Sequence, residues 1–353
     1  MNIITIVGAR PQFVKAAVVS REFGKHANIN ETIIHTGQHF DPNMSDLFFE
    51  EMRIPAPGYN LNINNLSHGA MTGKMLEEIE KVLLDRKPDW VLVYGDTNST
   101  LAGALAAKKL HIRVAHVEAG LRSFNMDMPE EVNRILTDRI SDILFCPTET
   151  AIQNLDNEGF GHFPSRIVPS GDVMLDAALF YQQYSRPPRI ELNRDFVLAT
   201  LHRAENTDRP ECLSEIIRAL EILSRERDII LPLHPRTRAK LKALGYDVQH
   251  SPIRFIDPVG YLEMIYLLDK CSLVMTDSGG LQKEAFFFRK YCITLRKETE
   301  WTELVDHGYN TLAGSSFDKI TRAYREQPHP DFSTPLYGDG HAAKVIVDTL
   351  IEA

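Results

Sequence analysis

Short β-branched runs alternate with segments of helical period along most of this chain, and that alternation restricts its fold more than any other feature. A strand, a helix and a second strand in succession make a βαβ unit, whose strands run parallel and are covered by helices on both faces. Strand runs fall at Ile3–Val7, Thr32–Thr36, Trp90–Tyr94, Arg113–Val117, Ile143–Cys146 and Ile167–Pro169, with helical segments at Gln12–Phe23, Gly73–Asp85 and Ser99–Leu110. The pattern restarts at Phe196–Thr200 and continues through Asp228–Leu233, Ile253–Ile256, Leu273–Thr276 and Tyr291–Thr294. Helices at Pro210–Glu226, Tyr261–Lys270 and Gly280–Phe288 alternate with them.

A chain of 353 residues is long for one core and suits two domains. The turn-rich Pro169–Asp172 is the boundary the sequence offers, with a second loose segment at Ser185–Arg194. The expected fold is therefore α/β, with two successive doubly wound parallel sheets over roughly 1–168 and 172–330 that face a cleft. In open sheets of this kind ligands bind beyond the carboxyl ends of the strands. Polar residues at strand-to-helix loops are thus the ones to examine.

Several function classes drop out early. The formal net charge is −9 and there is no basic stripe, so no nucleic acid partner is expected. No apolar stretch reaches the ~18 residues of a membrane helix, and the short apolar run after Met1 predicts a first strand rather than a signal peptide. Cys146, Cys212, Cys271 and Cys292 are far apart and form no CxxC pair, so neither a disulfide framework nor a structural zinc site is expected. A soluble cytoplasmic enzyme without a metal fits these features.

Thr276–Gly280 (TDSGG) follows a strand and opens a helix. Its two glycines allow backbone N–H groups close to an anion, which the helix N-terminus favours; the alternative is a plain Ser278 N-cap. Gly8–Pro11 (GARP) ends the first strand, and Arg10 with Lys15 one turn on makes either a second anion clamp or a pair of surface cations. The sequence is not GxGxxG, so no dinucleotide fingerprint is present.

Asp96 ends another strand, where it either points into the cleft or caps the helix from Ser99. Glu118 lies just past a strand end, and Glu130, Glu131 and Arg134 sit at a helix start. Convergence of Asp96, Glu118 and Glu130 is expected to shift their ionisation by like-charge repulsion, which suits acid/base work. His202 and His234 close two successive strands of the second sheet and are candidates for proton transfer or phosphate contact.

Together these residues resemble the non-hydrolysing UDP-N-acetylglucosamine 2-epimerase family. The resemblance is carried in order by GARP with Lys15, YGDTNST at 94–100, HVEAGLRS at 116–123, PEEVNR at 129–134, TLHRAEN at 200–206, TDSGGLQKEA at 276–285 and YGDGHAA at 337–343. It implies two Rossmann-like halves in the GT-B arrangement: residues 1–168 with a C-terminal crossing helix in 338–353, and a UDP-binding half at 169–337. It implies elimination of UDP from the sugar as the C2 proton leaves, then re-addition through a 2-acetamidoglucal, with no cofactor and a homodimeric state. Carried over by motif, Asp96, Glu118 and Glu130 are the acid/base carboxylates. His202 and Arg10 attend the leaving diphosphate, which Ser278, Gly279 and Gly280 cradle. Lys15 and Arg134 steady sugar and phosphates, and Glu284 holds the ribose; His234 is a further substrate-binding candidate, and Met264 stands where some members have an aromatic near the uracil.

The sequence departs from the pattern in places: Ala9 and Gln12 stand where much of the family has Thr and Glu. The stretch Leu295–Leu304 (LRKETEWTEL) resembles the branch acting on UDP-2,3-diacetamido-2,3-dideoxyglucuronate, where Arg296 and Lys297 either meet a sugar carboxylate or lie on a solvated loop. Two substrates are therefore expected, UDP-GlcNAc for the family and the diacetamidoglucuronate sugar as the alternative. A glycosyltransferase on the same fold is the more remote possibility.

Overall fold

The computed structural model describes residues 1–38, 49, 52–192 and 195–353. By contacts it divides into an N-terminal unit of Met1–Ala177 with Leu336–Ala353, and a C-terminal unit of Ala178–Pro335. Of the loose segment Ser185–Arg194, residues 193 and 194 lie outside the described residues.

The N-terminal unit holds a seven-stranded sheet: β1 (Asn2–Val7), β2 (Asn30–His35), β3 (Tyr59–Asn60), β4 (Trp90–Tyr94), β5 (Arg113–Val117), β6 (Ile143–Cys146) and β7 (Arg166–Pro169). Their order is β3-β2-β1-β4-β5-β6-β7 and every pairing is parallel. The middle strands are apolar on both faces because helices cover both. Every residue of β4 is buried, Trp90 included, with the Arg113 guanidinium 4.2 Å from its ring centre. Chain order reverses between β1 and β4, and this switch point is where open α/β sheets part their loops to form a site.

The C-terminal unit repeats the plan with six parallel strands: β8 (Phe196–Thr200), β9 (Asp228–Pro232), β10 (Arg254–Ile256), β11 (Leu273–Thr276), β12 (Cys292–Thr294) and β13 (Asn310–Leu312). Their order is β10-β9-β8-β11-β12-β13, so its switch point lies between β8 and β11. The doubly wound α/β expectation holds for both halves. The strands absent from the sequence reading are β3 and β13, edge strands of two and three residues, too short to carry a pattern.

The last helix, Ala342–Glu352, belongs to the N-terminal unit and packs on helix Arg10–Phe23. Its start is held by Asp176, whose carboxylate accepts from the Ala342 and Ala343 N–H groups at 3.1 and 2.8 Å. Burial pushes the Asp176 carboxyl up to about 6 against the pull of those two hydrogen bonds. Beside it, Gly171 (φ +77°) and Gly338 (φ +86°) pass so closely that a Cβ on Gly171 would lie 3.0 Å from the Tyr337 carbonyl oxygen.

Candidate functional site

At the first switch point the loops after β1 and β4 are joined by one side chain. Gln12, buried in the first turn of helix Arg10–Phe23, accepts from the Gly8 and Ala9 N–H groups at 2.8 and 3.0 Å through Oε1. Its Nε2 lies 2.6 Å from the Tyr94 carbonyl oxygen, 3.0 Å from Thr97 Oγ1 and 2.9 Å from Thr100 Oγ1. Arg10 sits at the N-terminal end of that helix, half-buried.

Thr97, not Asp96, caps helix Asn98–Lys109, accepting from the Thr100 N–H at 3.3 Å. Asp96 is thereby released from the capping role its sequence position allowed. Its carboxylate accepts from Arg134 Nη2, and its backbone carbonyl accepts from Asn133 Nδ2 at 3.0 Å.

Lys15, one turn after Gln12, donates from Nζ to Glu118 Oε2, with both side chains less than a tenth exposed. A Cβ built on Gly95 would lie 3.2 Å from that carboxylate oxygen and 3.4 Å from the ammonium, so the pair stands against the exit of β4. Glu118 holds this place with φ +71°, a left-handed backbone that costs a non-glycine residue about 1–2 kcal/mol. Asp96 and Glu118 are each set beside a cation that the sequence did not reveal as a partner.

Glu130 is exposed and enters none of the hydrogen bonds or ion pairs among the described residues. Its neighbour Glu131 is fully buried instead, accepting from the Ser123 and Phe124 N–H groups, the Ser123 hydroxyl and Arg134 Nη1. Glu131 thus fixes the loop before the helix, and through Arg134 it steadies Asp96. A further buried set holds the β4 exit. The His116 ring lies 2.7 Å from the Gly95 carbonyl oxygen on one side and 2.7 Å from Asp138 on the other. Burial would raise the Asp138 carboxyl, but His116 and the Arg122 guanidinium hold it below its ordinary value.

The C-terminal unit solves the same geometric problem with a carboxylate. Asp277, fully buried after β11, accepts from the His202 N–H at 3.0 Å, the Arg203 N–H at 2.9 Å and Asn206 Nδ2 at 3.2 Å. His202 Nδ1 is 3.6 Å from the same carboxylate, and its ring centre is 5.7 Å from that of His234. His234 Nδ1 accepts from the Arg236 N–H at 3.2 Å; burial, His202 and Arg236 all lower its affinity for a proton.

Ser278 is the N-cap of helix Gly279–Phe287, with Leu281 N–H 3.5 Å from its Oγ, so the capping alternative is realised. A Cβ on Gly279 would meet the Glu300 carboxylate and lie 3.5 Å from Arg203 Nη2, so a side chain there would displace Glu300. Gly280 is exposed with nothing within 4 Å of its Cβ position. The β12 exit loop clasps this helix start. Trp301 Nε1 donates to the Gly279 carbonyl at 3.0 Å, and Lys283 Nζ lies 4.0 Å above the Trp301 ring centre. Thr299 donates to Gln282 at 2.7 Å.

Arg296, offered by the sequence as a ligand for a sugar carboxylate or as a cation on a solvated loop, is not solvated. It is buried and donates to Glu300 at 2.9 Å, with Glu205 3.5 Å away. Burial raises the Glu300 carboxyl, and Arg296 with Arg203 more than reverses that. Glu284 is buried within the helix, and Met264 packs beside the core under β8 and β11. A cavity of about 790 Å³ opens at the β10 edge, but none of the residues singled out from sequence lines it.

Arg203, Gln12, Asp277 and Glu300 were absent from the candidates chosen by sequence. Arg203, next to His202, and Asp277, directly after β11, stand at strand mouths and carried a local signal for selection. Among the described residues no group of three or more His, Cys, Asp or Glu side chains is placed to hold a metal.

The family described as UDP-N-acetylglucosamine 2-epimerase matches residues 21–351 of the chain. The UDP-2,3-diacetamido-2,3-dideoxy-D-glucuronate 2-epimerase of Pseudomonas aeruginosa is 56% identical over 354 residues, covering 99% of both proteins. A UDP-GlcNAc 2-epimerase from Methanocaldococcus jannaschii, solved with UDP-GlcNAc and UDP, superposes with a TM-score of 0.90 at 44% identity over the whole of both chains. The Neisseria meningitidis UDP-GlcNAc 2-epimerase bound to UDP-GlcNAc gives 0.90 at 33% identity, again with full coverage of both.

Proposed function

Since this chain belongs to the UDP-N-acetylglucosamine 2-epimerase family of isomerases, we propose that it inverts C2 of a UDP-linked N-acetylamino sugar by elimination and re-addition of UDP. One carboxylate takes the C2 proton as the C1–O bond to the β-phosphate breaks, leaving a 2-acetamidoglucal and UDP. A proton then returns to the other face of C2, and a β-phosphate oxygen of UDP re-forms the bond to C1. The sequence is redox-neutral, so its balance calls for no hydride acceptor.

The observation that carries this reading is the pair of carboxylates at the first switch point, Asp96 beside Arg134 and Glu118 beside Lys15. Two acids near one strand exit can serve opposite faces of a carbon, one taking the proton and the other returning it. Glu130 joins them as the third acid/base residue. In the C-terminal unit Ser278, Gly279 and Gly280 offer a helix N-terminus to the diphosphate, with His202 at the neighbouring strand mouth and Arg10 of the N-terminal unit assigned to the same group. Lys15 and Arg134 steady the sugar, Glu284 the ribose, and His234 and Met264 the nucleoside.

For the sugar we favour UDP-2,3-diacetamido-2,3-dideoxyglucuronate, supported by the P. aeruginosa relative's 56% identity over nearly all of both chains. UDP-GlcNAc is the second reading, supported by the full-length fit to enzymes named for it. A cytoplasmic homodimer supplying surface-polysaccharide synthesis completes the proposal. The four free cysteines support the compartment. The test is incubation with each UDP-sugar in D₂O. Deuterium at C2 with formation of the C2 epimer is expected, whereas transfer to an acceptor without exchange would make the chain a glycosyltransferase.

A further inference from the structure

We infer that Gln12 is a positioning residue for the epimerisation, setting the loop that carries Asp96 against the loop that carries Arg10. This rests on the function proposed above and adds to it a residue outside its acid/base and phosphate groups.

The geometry points to this role because one uncharged side chain spans the switch point. Through Oε1, Gln12 satisfies the Gly8 and Ala9 N–H groups, which precede Arg10 at the helix start. Through Nε2 it reaches the Tyr94 carbonyl and the hydroxyls of Thr97 and Thr100, residues on either side of Asp96. Thr100 Oγ1 also donates to the Tyr94 carbonyl at 2.7 Å, so the β4 exit is tied to Gln12 both directly and through a hydroxyl. The side chain is 2% exposed, which leaves water little room to replace it.

An amide suits this place at any pH, and the protonated carboxyl of the Glu that much of the family carries here would meet the same partners. One end meets two donors and the other meets a carbonyl, which can only accept; an amide supplies an acceptor and a donor in one rigid plane. A carboxylate would serve the two N–H groups but turn a second oxygen on the Tyr94 carbonyl. It fits only when protonated, as a hydroxyl that donates. Lys15 follows Gln12 by three residues on the same helix, so the staple also fixes the turn that presents the ammonium to Glu118.

A displaced acid costs turnover more than binding, because misplacement by about 1 Å lowers the rate about 100-fold. The experiment compares wild type, Gln12→Ala and Gln12→Glu for C2 deuterium exchange and epimer formation with both UDP-sugars between pH 5.5 and 8.5, and for UDP affinity by calorimetry. Gln12→Ala is expected to lower kcat about 10- to 100-fold while UDP affinity stays within about 2-fold. The ratio of Gln12→Glu to wild-type turnover at each pH should rise as pH falls and the new carboxyl becomes protonated. Because Gln12→Glu compares one folded protein with itself across pH, poor folding of Gln12→Ala leaves the test intact.

An active wild type with unchanged kcat in both variants overturns the inference alone. So does a parallel loss of turnover and UDP affinity with no acid recovery, which marks a structural role only. A wild type that exchanges neither sugar overturns the functional reading and this role together.

Discussion

The two switch points share a plan and differ in the charge of the residue that closes them. In the N-terminal unit the loops after β1 and β4 are stapled by the neutral amide of Gln12, and the ionised groups around it come in pairs, Lys15 with Glu118 and Arg134 with Asp96. In the C-terminal unit the loops after β8 and β11 are stapled by the carboxylate of Asp277. Its partners are backbone N–H groups and an amide, with the His202 ring nearby.

A neutral staple leaves the charges beside it to be set by their own partners, which suits groups that must gain and lose protons. An acceptor-only staple organises N–H groups, which suits a loop that must present His202 and Arg203 in fixed directions. On the function proposed above, one mouth serves proton transfer and the other holds an anion.

The largest effect expected to break this contrast is on turnover. Glu118→Gln, whose amide oxygen can still accept from Lys15, should lower C2 exchange about 1,000-fold while leaving UDP affinity within about 3-fold by calorimetry. Loss of UDP binding instead would place anion recognition in the mouth assigned to proton transfer. Asp277→Ala should act in the opposite sense. Removing a buried acceptor from three donors should cost about 3 kcal/mol in denaturant unfolding and weaken UDP binding about 10-fold or more. Unchanged UDP affinity would detach the Asp277 bracket from the anion seat.

How far these mouths could be read from sequence follows from how local each signal is. Alternating strand and helix periods are local, so the doubly wound halves were legible; β3 and β13 are too short to carry a period and become strands only by pairing at a sheet edge. Asp96, Glu118, His202 and Ser278 were legible as candidates because each lies within two residues of a strand end. Asp277 also stands at a strand end, but its role and that of Gln12 were not legible, since they depend on which strands become neighbours, β1 with β4 and β8 with β11. Glu130 and Glu131 show the same limit within one turn of helix. Composition and spacing treat them alike, yet tertiary donors from Ser123, Phe124 and Arg134 bury one and leave the other exposed. The cations beside Asp96 and Glu118 were visible as residues but not as partners, so like-charge repulsion was expected where ion pairing occurs.

A smaller effect sharpens the contrast through pH. Asp176 carries a carboxyl raised to about 6 when folded, against 3.8 for the free residue. The folded state therefore holds this proton more tightly than the unfolded chain. The stability so gained is complete below about pH 4 and is lost as pH rises through 6. Relative to Asp176→Asn, wild type should lose about 2–3 kcal/mol across that window and show a constant difference above pH 7, measured by urea unfolding at stepped pH. A difference that grows with pH would assign the opposite sign to this group. Smallest is Ser278→Ala, which removes an N-cap and should cost about 1 kcal/mol, with C2 exchange at saturating sugar changed by less than 3-fold.

Trp301, hydrogen-bonded to the Gly279 carbonyl beneath Lys283, also makes the molecule its own instrument. The chain has two tryptophans, and the other, Trp90, is buried in β4 of the N-terminal unit under Arg113. Each unit thus carries one indole, and only that of the C-terminal unit touches the backbone of the helix start assigned to phosphate. With Trp90→Phe, intrinsic fluorescence would report the arrival of an anion at Gly279; with Trp301→Phe, it would follow the opening of the first sheet alone.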